Sequence, residues 1–126
     1  DYHSVFTKMI TFGKNQLIFD REAATIVWLD EKGSVIKEIS MNNKLDGLYY
    51  QNVHKDDGTG KIFIEYSQGP RSYFVEINPE TGQEVRHFMV RNFRYIEKCS
   101  FFNGRLYFLN QPDNGKQFKK LCSIWI

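Results

Sequence analysis

Short apolar runs rich in β-branched and aromatic residues, separated by polar links containing Gly, Asn and Asp, fill the chain. Gln16-Leu17-Ile18-Phe19 leads to Thr25-Ile26-Val27-Trp28-Leu29, and Asp30-Glu31-Lys32-Gly33 intervenes before Ser34-Val35-Ile36-Lys37-Glu38-Ile39. A polar link ending in Gly between two such runs predicts a hairpin whose Gly supplies a positive φ. The same order recurs. Lys61-Ile62-Phe63-Ile64-Glu65 is followed by Tyr73-Phe74-Val75-Glu76-Ile77, the turn Asn78-Pro79-Glu80-Thr81-Gly82 and Gln83-Glu84-Val85-Arg86-His87-Phe88. A third copy starts at Asn103-Gly104-Arg105-Leu106-Tyr107-Phe108-Leu109 and ends at Leu121-Cys122-Ser123-Ile124-Trp125-Ile126, before any fourth strand. Helical signals reduce to one candidate turn, Arg21-Glu22-Ala23-Ala24.

Spacing turns these runs into a repeat. Leu17, Ile62 and Leu106 open the second strand of each copy at intervals of 45 and 44 residues, and Gly13, Gly58 and Gly104 precede them at intervals of 45 and 46. A further apolar stretch lies ahead of each Gly: Met9-Ile10-Thr11-Phe12, Leu48-Tyr49-Tyr50 and Cys99-Ser100-Phe101-Phe102. Units of four strands at this period predict an all-β chain of about three antiparallel β-propeller blades. The units run approximately over residues 5–40, 45–88 and 95–126 of a single domain, 1–126. The competing architecture is a single small β-barrel or sandwich, which needs no partner.

Composition agrees with sheet and narrows the function classes. Aromatic residues make up 16% of the chain, with 11 Phe, 7 Tyr and 2 Trp, and flat side chains suit pleated, half-buried surfaces. The net charge of +2 arises from 17 basic and 15 acidic residues dispersed along the chain, which gives no electrostatic footprint for nucleic acid. No apolar run is long enough to predict a membrane span. Cys99 and Cys122 each lie in an apolar run and read as small buried hydrophobes rather than as a disulfide framework, which leaves the redox compartment open.

Candidate chemistry is sparse. His3, His54 and His87 have no ligand spacing to one another and read as solvated or edge residues, so no metal site is expected. Asp56-Asp57-Gly58-Thr59-Gly60 lacks the distal acidic ligand of a calcium loop and reads as a plain turn. Gly58-Thr59-Gly60-Lys61 is too short for a phosphate loop and precedes a strand. None of the serines sits in a nucleophile elbow, so neither a catalytic residue nor a cofactor is assigned. The most suggestive stretch is Arg86-His87-Phe88-Met89-Val90-Arg91-Asn92-Phe93-Arg94-Tyr95, in which guanidinium planes and rings can stack on a partner. Its plain reading is alternation, with Phe88, Val90 and Phe93 inward and Arg86 and Arg91 outward. The candidate ligand-binding residues are Tyr50, Arg71, Arg94 and Tyr95, near the loops that hold Gly69-Pro70 and Asn110-Gln111-Pro112-Asp113-Asn114-Gly115.

The segment Tyr73-Phe74-Val75-Glu76-Ile77-Asn78-Pro79-Glu80-Thr81-Gly82-Gln83-Glu84-Val85 resembles the third strand, turn and fourth strand of TolB-type, NHL-type and quinoprotein propellers. Ile18-Phe19-Asp20-Arg21 through Asp30-Glu31-Lys32-Gly33 is similar to the matching part of an NHL-type blade. The resemblance points to six-bladed propellers among bacterial secreted proteins and lipoproteins, hence to the periplasm or cell surface, and carries no quinone or metal signature onto this chain. The resemblance informs the fold; the preferred functional expectation is a non-enzymatic binding or scaffold module that presents a loop face to a protein, peptide or glycan. The alternatives are a fragment of a propeller hydrolase or lyase acting on a glycan or lactone, and a small ligand-carrying barrel.

Three blades in a row leave two end faces bare. If each exposes on the order of 400–600 Å² of apolar area, its burial is worth ~10–15 kcal/mol. The expectation is therefore the C-terminal part of a larger propeller, with further blades in a longer chain or self-association covering those faces.

Overall fold

The computed structural model describes residues 7–20, 23, 25–41, 47–110 and 119–126. The candidate helical turn (apart from Ala23), His3, the outer ends of the first two units and the 111–115 part of the last loop lie outside them.

Eleven strands are described: β1 (Thr7–Phe12), β2 (Asn15–Asp20), β3 (Thr25–Leu29), β4 (Val35–Ser40), β5 (Tyr49–Lys55), β6 (Ile62–Gln68), β7 (Arg71–Ile77), β8 (Glu84–Met89), β9 (Glu97–Phe102), β10 (Arg105–Asn110) and β11 (Lys120–Trp125). They form three antiparallel meanders, ordered β1-β2-β3-β4, β5-β6-β7-β8 and β9-β10-β11, called here the first, second and third sheets. Among the described residues no closed barrel is found, so the single-barrel alternative is set aside, and three separate sheets do not make one two-layer sandwich.

The hairpins follow the local chemistry. Asn103 and Gly104, both at positive φ (50° and 79°), make the two-residue turn between β9 and β10, and that conformation matches the twist of the strands it joins. Between β3 and β4, the Asp30 carboxylate accepts the N–H groups of Lys32 and Ser34, both at 2.9 Å. Between β7 and β8, the Asn78 side chain accepts those of Glu80 (2.8 Å) and Thr81 (3.4 Å). Asp and Asn thus open equivalent turns by the same means, a side-chain oxygen closing onto the backbone ahead of it.

Burial tracks position in each sheet. β6 and β7 lie in the middle of the second sheet, covered on both faces, and their apolar runs are nearly continuous. β4 and β8 are outermost and mostly exposed or half-buried. Between the first and second sheets the core is largely aliphatic: Ile10, Leu17, Phe19, Ile26 and Trp28 meet Val53, Ile62, Ile64, Tyr66, Tyr73 and Ile77. Between the second and third it is aromatic, with Phe63 stacked on Phe101 at 4.2 Å and Phe74 meeting Phe101 edge-on at 5.3 Å.

Leu17, Ile62 and Leu106 are all fully buried near the start of the second strand of their sheets. Their faces differ. Ile62 and Leu106 point to the preceding sheet, whereas Leu17 points to the following one. Leu17 lies two residues beyond the hairpin pair Phe12↔Asn15, while Leu106 lies one beyond Phe102↔Arg105, and a one-residue change of phase exchanges the faces of a strand.

Candidate functional site

Loops from neighbouring sheets meet at one end of the second sheet. The Arg71 guanidinium, at the start of β7, donates to the backbone carbonyls of Arg91 and Phe93 (3.3 Å) in the link between β8 and β9. From the same link the Tyr95 N–H donates to the Pro70 carbonyl at 2.8 Å, and Asn110, at the end of β10, donates to the Arg94 carbonyl at 2.8 Å. These bonds hold Tyr95 at φ +51°, a conformation that costs a residue with a Cβ about 1–2 kcal/mol, and leave the residue 73% exposed. Arg94 beside it is exposed as well.

Of the four sequence candidates, Arg71, Arg94 and Tyr95 therefore come together, with Arg71 as the clamp of the loop and the other two as its presented side chains. Tyr50 lies on β5, half-buried, its ring edge-on to Tyr66 at 6.2 Å and packed toward the first sheet. Of the basic stretch, Val90 is buried, Phe88 and Phe93 are half-buried, and Arg91 is exposed. Arg86 departs from simple alternation. Its Nε donates to the buried Glu76 carboxylate at 2.8 Å, and its guanidinium lies 5.9 Å from the Phe63 ring centroid.

A second polar site lies between β5 and β9. His54 Nε2 and Glu65 Oε1 are 2.7 Å apart, and both side chains are largely buried. They line a cavity of about 610 Å³ with Gln51, Asn52, Ile96, Glu97, Lys98 and Cys99. The expectation of a solvated or edge histidine fails at His54, because Phe101 (5.5 Å) and Phe74 (6.3 Å) cover its ring. The signal for this pair was the cross-strand alignment of β5 with β6, in which His54 faces Phe63 and sits diagonally from Glu65. Burial, and then the Glu65 charge, push the Cys99 thiol up to about 12, so it stays protonated and is not an activated nucleophile. Cys99 and Cys122 are both free and half-buried. No group of three metal-ligating side chains is found among the described residues.

The turn between β5 and β6 does structural work that its sequence conceals. The Asp56 carboxylate, fully buried, accepts backbone N–H groups from Gly58 (2.9 Å) and Thr59 (3.1 Å) in its own turn. It also accepts those of Asn103 and Gly104, both at 2.8 Å, from the third sheet. Burial alone would raise this carboxyl, but the four N–H donors outweigh it and hold it below the usual carboxylate range. With those contacts its oxygens are committed to backbone.

No protein-family model matches the chain, and no curated protein does. Among solved structures, it is similar to a protein of unknown function from Bacteroides caccae, with a TM-score of 0.58 at 14% sequence identity. That likeness covers 96% of this chain and 46% of the other, so the chain spans about half the length of the structure it resembles. The likeness concerns the fold: an all-β chain of antiparallel sheets of three or four strands.

Proposed function

We propose that the three sheets are successive blades of a β-propeller and that the chain is a non-enzymatic binding module, recognising a protein, peptide or glycan through the loop that carries Arg94 and Tyr95. The observation that carries this reading is Tyr95, held outward at positive φ by bonds from its own N–H, from Arg71 and from Asn110. A rigid, exposed Tyr beside an Arg offers contact area at little entropic cost on binding, which is what recognition surfaces require. Supporting the blade reading, the second sheet is covered on both faces while the first and third each have one open face. The open face of the first sheet carries exposed Met9 and Val35; that of the third carries exposed Phe102, Leu121 and Trp125. Further blades, from a longer chain or a second copy, would cover them. Placement outside the cytoplasm rests on the family resemblance.

A glycan array and a random peptide library, probed with the chain and with Y95A and R94A, test the module. Ligands selected by the wild type are expected to lose about tenfold or more in affinity to Y95A, while D57A, an exposed turn variant, binds unchanged. Selected ligands that bind Y95A and R94A as well as the wild type would refute the assignment of this face.

The His54–Glu65 pair in its polar cavity favours a second reading, that of a fragment of a propeller hydrolase or lyase in which the pair moves a proton. Turnover of a glycan or lactone that H54Q abolishes would select it over the binding module.

A further inference from the structure

A second cavity, of about 620 Å³, opens between the first and second sheets, away from the loops described above. Ile26, Ile39, Met41, Leu48, Ile64 and Val75 give it an aliphatic lining. Its size falls within the usual range of small-molecule sites, and polar side chains of Ser40, Tyr66, Tyr73, Thr81, Gln83 and Glu84 share the lining.

Two of the polar groups are phenols on adjacent strands. Tyr66 and Tyr73 face each other across β6 and β7 and both line the cavity. They are only 8% and 9% exposed, yet neither hydroxyl makes a hydrogen bond to any described residue. Among the described residues Arg105 Nε is the one buried polar side-chain atom without a partner, so both phenol hydroxyls reach the open space of the cavity. Each ring packs against a neighbour in the same sheet, Tyr66 edge-on to Tyr50 at 6.2 Å and Tyr73 stacked with His87 at 5.4 Å. Glu84, also lining the cavity, is close enough for its charge to act on both phenols.

We propose that this cavity binds a neutral amphiphile, an aliphatic body bearing a hydroxyl head, with the body against the aliphatic wall and the head between Tyr66, Tyr73 and Glu84. A hydroxyl is the head that satisfies all three groups, because it accepts from a phenol O–H and donates to a carboxylate. A carboxylate head would also accept from the phenols but meets the Glu84 charge, and an alkane leaves both phenols idle. An apolar body laid against the aliphatic part of the wall removes that surface from water, which favours binding. The site is independent of the Arg94–Tyr95 loop, and neither proposal depends on the other.

Binding of 1-decanol and of decanoate, which share a chain and differ in the charge of the head, tests this by amide chemical-shift titration of the 126-residue chain. Decanol is expected to shift amides of β3, β6 and β7 saturably and to bind about tenfold or more tightly than decanoate. The Y66F/Y73F double variant, which keeps both rings, is expected to weaken decanol about tenfold while leaving its spectrum dispersed. E84Q is expected to strengthen decanoate about tenfold, a gain that misfolding does not produce. No saturable decanol shift up to its solubility, or equal affinity for the two probes that E84Q does not alter, would overturn the proposal. Shifts centred on residues 91–95 would overturn it too, by placing the ligand at the other site.

Discussion

Removing the Asp56 carboxylate by D56A tests how the second and third sheets are joined. Four backbone N–H groups lie 2.8–3.1 Å from its oxygens, two of them from the third sheet. A hydrogen bond to a charged group contributes about 1.5–3 kcal/mol, and a buried donor left alone costs about 1–3. Water reaches the two donors of the exposed turn after truncation, which leaves the inter-sheet pair to set the loss, about 3–5 kcal/mol. That is a large share of the ~5–15 kcal/mol typical of a domain. Urea unfolding followed by circular dichroism at about pH 7 measures it, with D57A as control expected within ~0.5 kcal/mol of wild type. The pH dependence fixes the cause. Because the folded carboxyl titrates below its ordinary value of 3.8, its contribution is fully present above that value. It is lost as pH falls through the lower folded value, so the gap between D56A and wild type narrows in strong acid. A D56A chain within about 1 kcal/mol of wild type, or a gap that persists unchanged at about pH 2, would refute the argument.

Gly58 is where the two turns approach most closely: a Cβ there would sit 1.6 Å from Asn103 Oδ1 and 3.1 Å from the Asn103 backbone N. G58A is expected to cost about 1–3 kcal/mol in urea unfolding, and N103G to restore part of it in the double variant, whereas additive losses would show that the contact is not the cause. The open faces lead to a separate expectation. Sedimentation of the 126-residue chain should show concentration-dependent association that W125E abolishes, since Trp125 is 72% exposed on the third sheet and stacks with Arg105 at 4.4 Å. Monomers at about 100 μM for both chains would show that a second copy does not cover that face.

Much of the fold was legible because its causes are local. Gly33 and Gly82 close the turns between third and fourth strands at φ 83° and 77°, as their placement after Asp30 and Asn78 foretells. The double-sided burial of β6 is visible in Ile62-Phe63-Ile64, where no polar residue interrupts the run. What the pattern hides is set between sheets. Leu17 recurs at the right interval but faces the other side, because the phase of a pleat is fixed by the neighbour that covers it. His54 and Asp56 look like turn and edge residues; only the arrival of Phe101 and of the Asn103–Gly104 turn buries them. Arg71, Arg94 and Tyr95 meet at one loop, whereas Tyr66 and Tyr73 read in the sequence as ordinary strand residues. Nothing in a strand of alternating apolar residues reveals that a hydroxyl lacks a partner.

The two inter-sheet contacts are built differently, and the difference bears on where a ligand acts. The second and third sheets close on stacked rings and on the buried Asp56. The first sheet is joined to the second by aliphatic packing and by bonds at its edges: Trp28 Nε1 to the Pro79 carbonyl at 2.7 Å, and Lys37 Nζ to the Thr81 carbonyl at 2.6 Å. Between those bonds and the inner strands lies the cavity of about 620 Å³. As a sealed void, at ~24 cal/mol per Å³, it would cost ~15 kcal/mol, as much as the whole stability of a domain. The cavity is open rather than sealed, and it lies at the contact of the first sheet with the second. A ligand that fills the cavity thus stabilises that contact selectively. At ten times its dissociation constant it adds about 1.4 kcal/mol. With decanol bound, amide exchange should slow in β2 and β3 and stay unchanged in β10, whereas uniform slowing throughout would mean that the three sheets open as one unit.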